Sequence, residues 1–299
     1  MALKIIGHRG SGRTDNNPFA AGIPPQQTLL SFQRAIENGA DGVEFDIYLS
    51  KDKVPVIIHR KGAAELAISE LTAAQISQIS LPDQQHIPTL EETLICLAEM
   101  NARFPDKKLI INAELKGPGV VAQTLAVIND VAARHPLDRN QIFFDSLEWE
   151  QLAELRTLDP EARIMPALST ARLFNTARQP DAGGKYDQQV FRDLEDFIRD
   201  QDCCGIDVMT ADIRPEMFEL AERMGVGLFS YPQGPKPKED AAIIQNNIGL
   251  LDEFSRRSGK EVILKVEDVE AARSILEDYK LGRPASVEKI ERMMGMHLT

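Results

Sequence analysis

The sequence predicts an α/β chain folded as one (β/α)8 barrel of the TIM type, a single domain spanning residues 1–299. Two observations carry this. Short apolar runs alternate with amphipathic stretches almost to the C-terminus, and such alternation implies parallel strands joined by right-handed crossovers. Eight units of this kind fit in 299 residues, close to the ~250 residues that one barrel takes. The rival, a doubly wound open sheet, would place a glycine-rich phosphate loop after the first strand. Gly7-His8-Arg9-Gly10-Ser11-Gly12 has neither the spacing nor the helix start for one.

The predicted strands lie near Leu3–Gly7, Gly42–Ile47, Val54–His59, Lys108–Leu115, Ile142–Phe144, Arg163–Ala167, Gly205–Val208, Val226–Ser230 and Val262–Lys265. Helical periodicity marks Thr28–Asn38, Leu90–Arg103, Val120–Arg134, Glu148–Leu158, Gln188–Asp200, Pro215–Met224, Glu239–Ser258 and Asp268–Tyr279, with a terminal helix over Ser286–Met296. Val54–His59 follows its predecessor with no helix between, so it reads as an addition to the repeating units. Two long loops, Ser11–Pro25 and Tyr231–Lys238, follow the first and the seventh barrel strands. Both belong on the C-terminal rim, where barrels carry their binding loops.

Composition narrows the partners. Forty-six acidic residues against 34 basic give a formal charge of −12, which disfavours nucleic acid and anionic membranes. A small phosphorylated ligand stays compatible, because a metal and a few Lys or Arg side chains reverse the sign locally. Three cysteines, two adjacent at Cys203-Cys204, form neither a disulfide framework nor a metal-ligand spacing. With no signal peptide and no apolar run of membrane-spanning length, the expected home is the cytoplasm, without a stable membrane anchor. Self-association into a homo-oligomer is left open.

The chemistry starts at Gly39-Ala40-Asp41-Gly42-Val43-Glu44-Phe45-Asp46-Ile47-Tyr48. Val43, Phe45 and Ile47 alternate with Glu44 and Asp46, so two carboxylates point to one side of a strand whose other side is apolar. Carboxylates sharing a face repel each other unless a proton or cation intervenes. A hard divalent ion such as Mg²⁺ or Ca²⁺ is the natural resolution. His8 and Arg9 end the first strand, His59 closes the run Val54-Pro55-Val56-Ile57-Ile58, and Asn112, Glu114 and Lys116 share one strand face. Polar residues at the C-terminal ends of barrel strands occupy the catalytic position of that fold. Solvated readings remain for His86, His135, His297 and Lys265, although Lys265, at a barrel strand end, is within reach of the pocket. The cysteines read as core.

These pieces resemble the glycerophosphodiester phosphodiesterase family. The matching segments are His8-Arg9-Gly10, Pro25-x-x-Thr28-Leu29, Gly39-Ala40-Asp41-x-Val43-Glu44-Phe45-Asp46, Lys51-Asp52-x-x-Pro55-Val56-x-x-His59, Ile87-Pro88-Thr89-Leu90-Glu91-Glu92 and Glu114-Leu115-Lys116, in family order. The resemblance implies a barrel hydrolysing a small phosphodiester with one divalent cation, Mg²⁺ or Ca²⁺. Glu44, Asp46 and Glu114 would be its ligands, His8 and His59 the general acid and base, and Arg9 and Lys116 the phosphate contacts. It also implies a neighbouring substrate hydroxyl as nucleophile, giving a cyclic phosphate. The chain departs from the family at Gln26-Gln27, where Glu-Asn is usual, at Arg60, where Asp is usual, and across Leu228–Pro232 and Val262–Val266. These departures bear on substrate choice. A different head group (a sugar phosphodiester or a lysolipid) and a non-hydrolytic phosphate-binding relative are the alternatives. An aldolase with Lys116 as Schiff base would leave the carboxylates and histidines unexplained.

Overall fold

The computed structural model describes residues 2–12, 23–59, 68–175, 184–231 and 237–294, without the side chains of 237–241. Nine strands form one sheet: β1 (Lys4–Gly7), β2 (Gly42–Leu49), β3 (Pro55–Ile57), β4 (Ile110–Leu115), β5 (Ile142–Ser146), β6 (Arg163–Leu168), β7 (Gly205–Met209), β8 (Gly227–Tyr231) and β9 (Val262–Val266). Their order is β1-β9-β8-β7-β6-β5-β4-β2-β3, and β1 also pairs with β2. That pairing closes eight parallel strands into a barrel. β3 stands outside the closure as an antiparallel hairpin arm on β2, with Ile47 opposite Ile57. The extra strand read at Val54–His59 is therefore this arm, shortened at both ends.

Helices follow the strands as predicted, within one or two residues except at the end of the terminal helix, which was expected to reach Met296. Leu90–Arg103, Val120–Arg134, Gln188–Asp200 and Pro215–Met224 match, and the terminal helix is Val287–Met293. Thr28 and Thr89 start their helices as N-caps of capping boxes, satisfying otherwise orphaned backbone donors. Two one-turn helices, Ala73–Ile76 and Thr170–Leu173, carry too little periodicity to be legible in the sequence. The Ser11–Pro25 and Tyr231–Lys238 loops fall largely outside the described residues, as do Arg60 and His297. The helix expected from Glu239 begins at Pro237.

Beside a small cluster of Val56, Ile58, Ile68, Ile76 and Ile87 around the β3 arm, the core has two main parts. The larger lies between barrel and helices, and includes Val43, Phe45 and Ile47 from the outward face of β2. The smaller is a plug of Ile6, Ile110, Phe143, Met165, Phe229 and Ile263. These six come from six different barrel strands and fill the lumen towards the strands' N-terminal ends. Side chains alternate along a strand, so the same inward face, two residues on, carries His8, Asn112, Asp145, Tyr231 and Lys265. Two further on from Asn112 and Lys265 come Glu114 and Glu267. The lumen thus changes from apolar to ionisable within one step. Gly42 lets β2 approach β4: a Cβ there would lie 1.9 Å from the Ile110 carbonyl oxygen. Among the described residues, no helix is long and apolar enough to cross a membrane.

Candidate active site

The rim brings together all seven residues singled out in the sequence. Asp46 and Glu114 face each other as register partners on β2 and β4, with Glu44 beside Asn112 one step below. One carboxylate oxygen from each of Glu44, Asp46 and Glu114 lies within 4.8 Å of the others. Glu44 and Asp46 are almost fully buried. Their crowding shows in the protonation equilibria. Burial, aided by Asp46, pushes the Glu44 carboxyl well above its usual range. Burial also raises Glu114 to about 7, with Lys116 opposing and Asp46 reinforcing. At Asp46 burial is overcome by Lys116 and Arg9, which hold it below the usual carboxylate range.

His8 and Arg9 follow β1 in a tight turn. Arg9 adopts a left-handed backbone (φ 54°), as does Gly10 (φ 77°), a conformation that disfavours a side chain at either position. This aims the Arg9 backbone N–H at Glu44 Oε2, 2.8 Å away, while its Nε lies 3.6 Å from Asp46 Oδ2. A Cβ on Gly10 would lie 2.4 Å from Ser31 Oγ, so the helix after the turn packs directly on it. His8 Nδ1 meets Glu267 Oε1 at 2.6 Å. A carboxylate accepts, so the proton resides on Nδ1 and Nε2 faces the rim, 3.8 Å from Glu44 Oε2. Burial, with Arg9 adding to it, holds the imidazole well below its ordinary range despite Asp46. The Tyr231 ring lies roughly parallel to His8 at 6.5 Å between centroids.

His59 enters from the β3 arm. The Ile58 backbone N–H donates to the Asp46 carbonyl oxygen at 3.2 Å, which places His59 beside that strand end. Its charge is felt by both Asp46 and His8. Lys116 Nζ lies 3.2 Å from Asp46 Oδ1 and contacts Glu114 more closely still. Although burial opposes it, these two carboxylates raise the ammonium above its ordinary range. A Schiff-base lysine needs the reverse shift, because its amine must lose the proton; the aldolase alternative lacks that support.

Three neighbours were given no role in the sequence. Gln27 is buried with φ 59° and donates to Asp46 Oδ2 at 2.6 Å. Glu267 orients His8. Lys265, read as a solvated charge, is instead 2% exposed and bonds Asp145 Oδ2 and Asp207 Oδ2, each at 2.7 Å. Asn112 completes that cluster with a 2.8 Å bond to Asp145 Oδ1. The signal for Lys265 and Glu267 was the alternation Ile263, Lys265, Glu267. Arg9 Nη1 also reaches Gln26 Oε1 at 3.4 Å, so the neutral side chain that replaces the family acid lies against the guanidinium. The cysteines are thiols without disulfides; burial pushes Cys203 and Cys204 up to about 12, far from nucleophiles.

The donor set fits a hard cation. Glu44 Oε1 is buried and has no hydrogen-bond partner among the described residues, whereas Asp46 Oδ1 has the Lys116 ammonium 3.2 Å away. Unpaired buried carboxylate oxygens are costly, and an oxygen-liganded divalent ion would satisfy them.

Residues 8–200 match the sequence profile of the glycerophosphoryl diester phosphodiesterase family. The chain belongs to that family. Among curated relatives of this phosphodiesterase family, a glycerophosphodiester phosphodiesterase of Caldanaerobacter subterraneus subsp. tengcongensis is 24% identical over 174 residues, 55% of this chain and 66% of its own. A glycerophosphocholine phosphodiesterase of Rattus norvegicus is 31% identical over 129 residues, 36% of this chain and 19% of its own. The aligned chain thus spans just under two thirds of the first relative and a small part of the second. Solved phosphodiesterase structures share the fold. One from Oleispira antarctica, in complex with the product sn-glycerol-3-phosphate, has a TM-score of 0.63 at 19% identity, covering 92% of this chain and 97% of its own. A glycerophosphodiester phosphodiesterase from Parabacteroides distasonis has a TM-score of 0.63 at 19% identity, covering 93% and 98%.

Proposed function

We propose that this protein hydrolyses a glycerophosphodiester to glycerol phosphate and an alcohol, with a divalent cation held by Glu44, Asp46 and Glu114. The observation that carries the reading is the single rim on which three carboxylates converge within 4.8 Å, beside His8, His59, Arg9 and Lys116. The names of the relatives point to the substrate class. When bound, Mg²⁺ or Ca²⁺ supplies neutralisation of charge developing on the phosphoryl oxygens.

The remaining work falls to side chains. Arg9 and Lys116 draw the anionic diester to the rim and hold its free oxygens. His8, fixed by Glu267 with Nε2 towards the rim, takes the proton of the attacking hydroxyl. His59 gives a proton to the departing alcohol oxygen. The attacker is the neighbouring glycerol hydroxyl. A new phosphorus–oxygen bond closes a cyclic phosphate as the bond to the alcohol breaks. Water then opens the ring, with the two imidazoles exchanging roles. Three cysteines without disulfides support a cytoplasmic site of action.

The test is turnover of glycerophosphocholine, glycerophosphoethanolamine, a lysophospholipid and a sugar phosphodiester, with Mg²⁺ or Ca²⁺ and with excess chelator. Glycerol phosphate release that chelator abolishes and added cation restores is the expected result. Full turnover in chelator removes the metal from the reading. Ester binding without turnover across the panel replaces hydrolysis by a ligand-binding role.

A further inference from the structure

A cavity of about 250 Å³ opens beside the rim, between the β2–β3 arm and the loop after β4. Its inner wall is Tyr48 and Lys116. On their strands these residues stand two positions beyond Asp46 and Glu114, on the same face. The cavity is therefore the next space outward from the carboxylates, where a group esterified to a phosphate held there would extend. Lys51, Lys53, Ile58 and Ile68 also line it, and no acidic residue is among its described lining. Asp52, between the two lysines in sequence, is engaged elsewhere: its Oδ1 accepts from Ser50 Oγ at 2.7 Å and from the Ala73 backbone N–H at 2.8 Å.

We propose that this cavity is a head-group subsite for an alcohol bearing its own anion, a phosphate or carboxylate, which Lys51 and Lys53 recognise. Among the described lining, a quaternary ammonium would find three lysines, no carboxylate and a single aromatic ring, Tyr48, rather than a cage. The local charge is opposite in sign to the chain's net −12, so the lysines also select among substrates by steering. The proposal rests on the phosphodiesterase reading of the neighbouring rim.

A matched pair tests it: glycerophosphoinositol and glycerophosphoinositol 4-phosphate, with glycerophosphocholine as the cationic control. The unaltered protein is expected to favour the phosphorylated ester in kcat/KM by about fivefold or more, as two exposed charge contacts allow. Raising the ionic strength reduces this preference. The double substitution Lys51→Ala/Lys53→Ala, away from the catalytic groups, should bring the pair within twofold of each other, because the phosphorylated ester loses more kcat/KM than glycerophosphoinositol does. Equal rates on the pair in the unaltered protein, or a preference that survives the double substitution, overturns the subsite. If no ester is cleaved, the phosphodiesterase reading falls by itself. The subsite then stands or falls on calorimetry with the same two esters: tighter binding of the phosphorylated one, lost in the double variant, supports it, and equal Kd values refute it.

Discussion

Two groups of charges share the barrel lumen and resolve the same problem differently. Around Lys265, the ammonium sits between Asp145 and Asp207 at 2.7 Å from each. A protein cation occupies the centre. Around Glu44, Asp46 and Glu114, the cations Arg9 and Lys116 stand to the side against Asp46, and the buried Glu44 Oε1 has no hydrogen-bond partner among the described residues. Both groups contain buried carboxylates and a lysine. What separates them is where the positive charge stands. A central lysine makes a structural cluster, whereas converging carboxylates with their cations to the side suit the divalent ion proposed above.

The sharpest way to break this contrast is to neutralise one carboxylate of the open group. Glu44→Gln should lower kcat/KM by about 10³-fold or more, while thermal unfolding of the metal-free protein stays level or rises, because an ill-paired buried charge is gone. A drop in Tm as large as the one expected next would make the group structural instead. Lys265→Met should do the reverse, destabilising the fold by about 3–5 kcal/mol, because two buried carboxylates lose their shared partner. Denaturant unfolding measures it, and adding Asp145→Asn and Asp207→Asn should recover much of the loss.

A smaller effect is expected at Glu267→Gln, which keeps the shape but weakens the hold on the His8 tautomer. A ten- to hundredfold fall in kcat with KM little changed is the expected outcome; an equal rise in KM would make Glu267 a binding residue. The smallest effect concerns pH. Burial, with Asp207 opposing Lys265, raises the Asp145 carboxyl from 3.8 to about 7. The folded state then binds more protons than the unfolded one between those values, so this contribution to stability is full below about pH 4 and is lost as pH rises through about 7. Asp145→Asn should flatten that part of the unfolding free energy measured from pH 4 to 7.

The β2 strand was legible because its two faces differ: Val43, Phe45 and Ile47 pack outward, while Glu44 and Asp46 turn inward. The parallel strands from β5 to β9 are buried on both faces, and their apolar runs conceal which residues look into the lumen. Asp207 was lost there, and Lys265 was read as a solvated charge within reach of the pocket. The barrel itself was readable from rhythm, since eight strand–helix units need no individual letters. Gln27 was out of reach for another reason. Its contact with Asp46 depends on a left-handed backbone at φ 59°, which the letters Gln26-Gln27 do not announce. Glu267 lies 259 positions from His8, beyond any local pattern.

That last separation has a consequence for biosynthesis. β1 leaves the ribosome before the other barrel strands, yet its neighbour β9 and the carboxylate that orients His8 emerge after all the rest of them. Contacts this distant in sequence form late, because a long loop must close before they contribute. A nascent chain can therefore assemble the β2–β4 carboxylates while the first histidine still lacks its orienting partner. Under the function proposed above, the half-made protein would hold its cation before it could do chemistry with it.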